Sequence, residues 1–221
     1  MSSPVIGGDL CFLNCGPGAR TFLIALEKRT GKTVWQVDIP GGNEGGDSSK
    51  WTGSWSTPLL WRGGGPDGGR EELLVSFPDR LRAYAPATGK EMWSCAGLGR
   101  LVYTSPLAAE GVVVAMSGFM GPPMAVGAGG EGDVTEARRL WRQDKAQQRI
   151  GSGVITGGHI YIVNDPGVAE CIELRSGKSV WRERVGATTW SSVVLADGKL
   201  YAADDAGDFP VLRAATTFER P

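Results

Sequence analysis

The chain has 221 residues, with 23 basic and 24 acidic side chains and a formal net charge of −1. That balance provides no basic face for nucleic acid or an anionic membrane surface, and no apolar run approaches the roughly 18 residues of a membrane-spanning helix. The 34 glycines and 13 prolines are spread between apolar runs, a pattern of many tight turns in a chain long enough to bury a sizeable core.

In chain order, MSSPVIGGDL has no basic leading region, and Gly7, Gly8 and Asp9 interrupt any apolar stretch, so no export signal is read. The segment LCFLNC (10–15) reads as a strand rather than a lipoprotein cleavage site. SSPVIGGDLCFL (2–13) predicts a small-residue strand, a Gly-Gly turn and an apolar strand. FLIALE (22–27) is a third strand, and RTGKTVW (29–35) turns the chain into a fourth that carries Trp35. After the insertion GGNEGGDSSK (41–50) come WTGSW (51–55) and the hairpin STPLLWRGGGPDGGREELLVSF (56–77), which carries its own Gly-rich insertion. LRAYA (81–85) and ATGKEMW (87–93) then repeat the third strand, the turn and the tryptophan strand. TSPLAAEGVVVAM (104–116) opens another unit, and SGFMGPPMAVGAGG (117–130) is expected to be a solvated loop, with contact of Met120, Met124 and its prolines to a partner as the alternative. VTEARRLW (134–141) is the one stretch with some helical periodicity, and its Trp141 closes a copy that lacks T-G-K. GSGVITGGHIYIV (151–163), ECIEL (170–174) and RSGKSVW (175–181) form another full copy. SSVVLADGKLYAA (191–203) begins a last one, which stops in or just before its final strand at Phe218–Pro221.

The recurring unit is four short antiparallel strands, and the closing tryptophans at 35, 93, 141 and 181 come as close as 40 residues apart. That is the period of a propeller blade. Strands such as FLIAL, VVVAM and IYIV are apolar on both faces, as stacked blades require. The expectation is an all-β chain: a β-propeller of four-stranded antiparallel blades, with about four full blades and a partial fifth in an open or incomplete ring. It forms a single domain over 1–221, with approximate blades 2–40, 51–97, 101–145, 149–186 and 188–221. Gly31, Gly89 and Gly177 allow the tight turn. Trp35, Trp93, Trp141 and Trp181 are expected to dock neighbouring blades, each indole N–H going to a backbone carbonyl.

Other residues suggest chemistry only weakly. Asp204, Asp205 and Asp208 in YAADDAGD could face a hard cation, but they fall where the repeat needs a turn. His159, the one histidine, follows a turn with no triad partner at a readable spacing. Cys11 and Cys15 lie on one strand, about 13 Å apart at the usual rise, too far for a disulfide. With Cys95 and Cys171 they read as free thiols. Trp51, Trp55 and Trp61 exceed what the blade junctions need and are candidate partner-binding residues, with packing at the start of the second blade as the alternative.

These units resemble the PQQ-like repeat, named for pyrroloquinoline quinone dehydrogenases. The resemblance rests on Ile24-Ala25-Leu26-Glu27 before Thr30-Gly31-Lys32 and Trp35, and on Ala83-Tyr84-Ala85 before Thr88-Gly89-Lys90 and Trp93. A third match is Cys171-Ile172-Glu173 before Ser176-Gly177-Lys178 and Trp181. It implies the propeller fold over nearly the full chain, whereas family rings have more blades than are counted here, which implies truncation. Members that use the quinone bind it beside calcium under a disulfide of adjacent cysteines, and this sequence has no adjacent cysteine pair. Neither PQQ nor calcium is therefore predicted. Another kind of member is a cofactor-free propeller lipoprotein of outer-membrane β-barrel assembly. By that resemblance the reading is a non-enzymatic, protein-binding scaffold in the periplasm or cell envelope, with a protein partner, no nucleic acid and no membrane insertion. The alternatives are a fragment of a quinone-dependent dehydrogenase-like oxidoreductase and a sensor domain of a larger receptor or kinase.

Overall fold

The computed structural model describes residues 2–18, 20–39, 41–42, 51–63, 69–118, 120–144 and 149–221. Most of the Gly-rich insertions expected at 41–50 and 62–70 lies outside the described residues. The first sheet runs β1 (Val5–Gly7), β2 (Leu10–Cys15), β3 (Phe22–Glu27) and β4 (Thr33–Asp38), each antiparallel to the next. A short β5 (Gly53–Ser54) follows, then the second sheet of β6 (Leu59–Arg62), β7 (Glu71–Phe77), β8 (Arg80–Tyr84) and β9 (Glu91–Ala96). β10 (Leu101–Val102) lies parallel to β5 and ties the start of the second unit to that of the third.

The third sheet holds β11 (Leu107–Ala109), β12 (Val112–Met116) and β13 (Pro123–Gly127). The chain then makes β14 (Gly132–Asp133) and a one-turn helix α1 (Thr135–Arg138), and returns as the sheet's last strand, β15 (Arg139–Arg142). β16 (Val154–Thr156), β17 (His159–Asn164), β18 (Val168–Glu173) and β19 (Ser179–Arg184) form the fourth sheet. The fifth has three strands, β20 (Val194–Ala196), β21 (Lys199–Tyr201) and β22 (Val211–Arg213). The fold is all-β, built of four-stranded antiparallel sheets in an incomplete ring.

Two local expectations give way. The stretch 117–130 is not a solvated loop: Pro123–Gly127 is a strand whose Met124, Ala125 and Val126 are fully buried. Its prolines and glycines suggested turns, but pairing with β12 on one side and β15 on the other overrides that preference. The helical pattern of 134–141 shrinks to four residues, because Trp141 must reach strand geometry opposite Ala125. The second sheet also gains a fifth strand, β14, parallel to β9.

Four apolar layers lie between successive sheets. Phe12, Leu23, Ala25 and Trp35 of the first sheet meet Leu73, Val75, Phe77 and Tyr84 of the second. Leu74, Leu81, Ala83 and Trp93, on the other face of the second sheet, meet Val113, Ala115, Met124 and Val126. The alternation continues through Val112, Val114 and Trp141 against Ile160, Ile162 and Ile172, then Tyr161, Cys171 and Val163 against Leu200, Ala202 and Leu212. Each strand thus divides its side chains between two layers, which is why it reads as a continuous apolar run.

First strands of neighbouring sheets approach one another, as β1 does β6 and β11 does β16, so they form the converging inner edge. A ladder of hydroxyls joins them. The Ser3 N–H donates to Thr57 Oγ1 (3.0 Å), Thr57 N–H to Ser105 Oγ (3.3 Å), Ser105 N–H to Ser152 Oγ (2.9 Å) and Ser152 N–H to Ser192 Oγ (3.0 Å). A backbone N–H at a sheet's inner edge has no strand partner on that side, and the next unit's Ser or Thr supplies the acceptor. One residue earlier in three units, the hydroxyls of Ser2, Thr104 and Ser191 donate to the carbonyls of Asn14, Met116 and Ala203, fastening each entry to the far end of its own second strand or to the residues just past it.

Among the described residues one charged pair lies inside. Arg149, 2% exposed, stands 3.6 Å from the Glu170 carboxylate, which also accepts from Asn164 Nδ2 (3.1 Å). Burial pushes the Arg149 guanidinium down from its usual range, and the Glu170 charge opposes that. Its Nε and Nη1 have no partner among the described residues. Glu170→Leu is expected to destabilise the protein by about 3–5 kcal/mol by stranding the cation, and adding Arg149→Met to recover most of the loss. Urea unfolding of the single and double variants checks this; equal stability of the single variant and the parent would contradict it.

Candidate functional site

The T-G-K turn and the tryptophan strand meet across sheets rather than within one. Gly89, at φ +70°, lies under the Trp35 ring: a Cβ built there would stand 2.6 Å from Trp35 Cε3. Gly177, at φ +71°, lies under Trp141 in the same way, at 2.6 Å from Cδ2. The glycine therefore serves twice, for its left-handed backbone and for the missing Cβ beneath an indole. Trp35 Nε1–H donates to the Pro86 carbonyl (2.8 Å) and Trp141 Nε1–H to that of Leu174 (2.9 Å), each three residues before its glycine. Trp181 repeats the bond to the Ala215 carbonyl (2.9 Å). Three residues on, where the other turns have glycine, stands Phe218, whose ring meets Trp181 edge-on with centroids 5.3 Å apart.

Trp93 departs from the pattern. The third unit has no T-G-K turn, and the indole N–H donates instead to Glu72 Oε2 within its own sheet (3.1 Å). Glu72 is buried and its other oxygen accepts from Arg70 Nε (3.1 Å). The β13–β15 connection covers the site, with β14 running beside Trp93 and Ser94, and Trp93 is 0% exposed. Asp133 holds that connection. Its carboxylate accepts from the hydroxyl and N–H of Thr135 and from Arg80, which lowers its pKa to about 2, Thr135 contributing most.

Trp51, Trp55 and Trp61 are not brought together by any ring contact among the described residues. Trp61, on β6, packs on the core between the second and third sheets. The Trp51 indole N–H is buried with no acceptor among the described residues. Trp55 stacks on Tyr103, with centroids 4.7 Å apart and planes 16° from parallel. Trp55, Tyr103 and Trp190 stand two residues before the ladder positions Thr57, Ser105 and Ser192, so they occupy equivalent places at the entry to the inner strands. Trp190 is 64% exposed and lines a hollow with Thr188, Ser191, Asp204 and Asp205. Tyr103 and Trp190 went unnoticed in the sequence; counting back from the Ser/Thr repeat would have found them.

The remaining candidates are placed as follows. Asp204 is a turn residue: Oδ1 accepts from the N–H groups of Ala206 and Asp208, and Oδ2 from that of Ala187, bonds that lower its pKa. With both oxygens so engaged it does not fit a calcium ligand. Among the described residues no cluster of three or more His, Cys, Asp or Glu suits a metal. His159 Nδ1 lies 2.7 Å from the Gly157 carbonyl at the start of β17. The four cysteines are free thiols, with Cys95 and Cys171 buried, and none is adjacent in sequence to another, so the disulfide of the quinone enzymes has no counterpart here. No step through PQQ follows from these residues.

Sheets joined by indole-on-glycine contacts around a converging inner edge define an arc of a PQQ-like β-propeller. The chain belongs to the family described as outer membrane protein assembly factor BamB, which it matches over residues 19–148 and again over 130–217. It is 25% identical over 216 residues to the outer membrane protein assembly factor BamB of Alkalilimnicola ehrlichii, covering 96% of this chain and 51% of that protein. Among solved structures it resembles BamB from Moraxella catarrhalis, with a TM-score of 0.72, 18% identity and coverage of 96% of this chain and 58% of that one. It also resembles the quinohemoprotein alcohol dehydrogenase of Comamonas testosteroni, with a TM-score of 0.64, 18% identity and coverage of 100% and 42%. The chain thus spans about half the length of the curated relative it matches.

Trp93→Ala is expected to cost about 3–5 kcal/mol, as for other large-to-small core changes, and more than Trp181→Ala at its part-buried site. Urea unfolding of both variants checks the order, and equal small losses would contradict it. For Asp133, the depressed folded pKa makes its contribution to stability present above the ordinary aspartate range and lost as pH falls toward about 2. Thr135→Val should move the Asp133 carboxyl titration up toward the usual aspartate value, read by carbon NMR, and narrow the stable range on the acid side. An unmoved titration would assign the shift elsewhere.

Proposed function

We propose that this chain is a non-enzymatic, protein-binding scaffold acting in the assembly of outer-membrane proteins at the cell envelope. The family to which the chain belongs carries this reading, since its description names an outer membrane protein assembly factor. The chain's own residues support it. Many of their polar side chains hold sheets and turns together, and among the exposed side chains are large aromatic and apolar ones such as Trp190, Phe209 and Ile6. Within the scaffold, Gly31, Gly89 and Gly177 with Trp35, Trp93, Trp141 and Trp181 are the sheet-docking residues. The partner-facing surface is the aromatic rim of Trp55, Tyr103 and Trp190. Trp61 packs on the core between the second and third sheets and the Trp51 indole N–H is buried, so neither joins that rim. An exposed indole beside hydrogen-bonding Thr188 and Asp205 has the character of an interface anchor, with large contact area and few rotamers to freeze.

Capture of envelope proteins on the immobilised chain tests this. The parent is expected to retain an outer-membrane assembly component, and Trp190→Ala and Trp55→Ala to lose at least tenfold in retention with an unchanged circular dichroism spectrum. Equal retention by parent and variants would refute the rim. Saturable, calcium-dependent uptake of pyrroloquinoline quinone by the parent, read by absorbance, would refute the scaffold reading in favour of the oxidoreductase.

A further inference from the structure

At the fifth unit the aromatic rim meets negative charge. Trp190 is 64% exposed and makes no ring contact among the described residues, whereas its counterpart Trp55 gives one face to Tyr103. The Trp190 indole lines a hollow of about 270 Å³ with Thr188, Ser191, Ala203, Asp204 and Asp205. The turn between β21 and β22 supplies the carboxylates. A bond from the Asp205 N–H to the Thr188 carbonyl (3.0 Å) fixes that turn beside the segment carrying Trp190.

The two segments that build the hollow bring no positive charge to it. Residues 185–196 and 200–210 hold Asp204, Asp205 and Asp208 and no lysine, arginine or histidine. The Asp205 and Asp208 carboxylates are exposed and have no hydrogen bond or ion pair among the described residues. Asp204 accepts from the N–H groups of Ala187, Ala206 and Asp208; these bonds, that of Ala187 most of all, lower its pKa and keep it ionised at neutral pH. The corresponding turn of the second sheet, between β7 and β8, also lines a hollow, with Asp79, Arg80 and Arg82. There the guanidiniums are already paired, Arg80 with Asp133 and Arg82 with Glu91. The charge of the fifth unit's hollow has no such partner.

We infer that this hollow takes a basic side chain of the protein partner, arginine before lysine. Charge complementarity selects it, because the free carboxylates and the negative face of the indole ring attract the same cation. The indole and Ala203 cover the methylene stem, and the charged head stands between the ring and Asp205. A guanidinium lies flat on an indole while its fork reaches a carboxylate, which an ammonium cannot do. A bare metal ion is a poorer occupant, since Asp204 has both oxygens engaged and an indole offers no ligand. An acidic or phosphate-bearing partner would be repelled by the three carboxylates. The inference rests on the rim being the partner-facing surface and adds the chemistry that the rim recognises.

The test titrates the full chain with blocked peptides, acetyl-Ser-Gly-X-Gly-Ser-amide, in which X is arginine, norleucine or glutamate. Binding is followed on the Trp190 Nε1–H signal by nitrogen–proton NMR, the signal being assigned by its loss in Trp190→Phe. The arginine peptide is expected to move the signal saturably and to bind at least about threefold more tightly than the other two. Asp205→Asn together with Asp208→Asn, exposed changes that keep side-chain size, should abolish that preference with an unchanged circular dichroism spectrum. No saturable shift with the arginine peptide, equal affinity for the norleucine peptide, or a preference that survives the double variant overturns the inference. Capture of envelope proteins separates it from the rim. Retention lost in Trp190→Ala but kept in the double aspartate variant would leave the rim and overturn the basic side chain. Retention kept in Trp190→Ala, with arginine preferred in the titration, would refute the rim and leave the selectivity of the hollow standing.

Discussion

A sheet whose strands are apolar on both sides has no face to give to water, and the second, third and fourth sheets are each covered on both sides. That constraint sets the architecture. Strands that read as unbroken runs, such as Val112–Met116, bury alternate side chains in two different layers, and the layers succeed one another along the chain. Because consecutive units supply the two walls of each layer, neighbours in sequence become neighbours in space, as in other repeat proteins.

Apolar contact alone leaves the angle between sheets loosely set. Two polar fasteners fix it from opposite ends. At the inner edge a backbone N–H meets the next unit's hydroxyl, and toward the outer strand an indole lies on the next unit's glycine and donates to a carbonyl beside it. Both are directional and both satisfy groups that would otherwise be buried without a partner. Where the third unit lacks the turn, the ring is retained but its N–H bonds Glu72, and an added strand covers it. The fasteners leave the segments entering the inner strands free to carry aromatic side chains, which is where Trp55, Tyr103 and Trp190 stand.

Much of this is legible in the residues because a repeat states the same instruction several times. Gly-Lys turns followed by tryptophan mark most of the outer strands, and a Ser/Thr-led small-residue strand before a Gly-containing turn marks the inner hairpins, so the class of fold follows from spacing. What is not legible lies where a unit departs from its pattern. Pro123–Gly127 looks like a loop by composition and becomes a buried strand because its neighbours need a third member in the sheet. The partner of the Trp93 N–H depends on a carboxylate 21 residues away in the chain, which no local motif announces. The aromatic rim was hidden for another reason: Trp51, Trp55 and Trp61 are close in sequence, but the equivalence that matters is the offset from the Ser/Thr ladder, which pairs Trp55 with Tyr103 and Trp190.

Indole hydrogen exchange, followed by nitrogen–proton NMR, tests the account most directly. If indoles hold the sheets together, the Nε1–H signals of Trp35, Trp93 and Trp141 should exchange far more slowly than that of Trp190, which stands in solvent. Exchange of all four at one fast rate would mean that the rings do not lock the junctions.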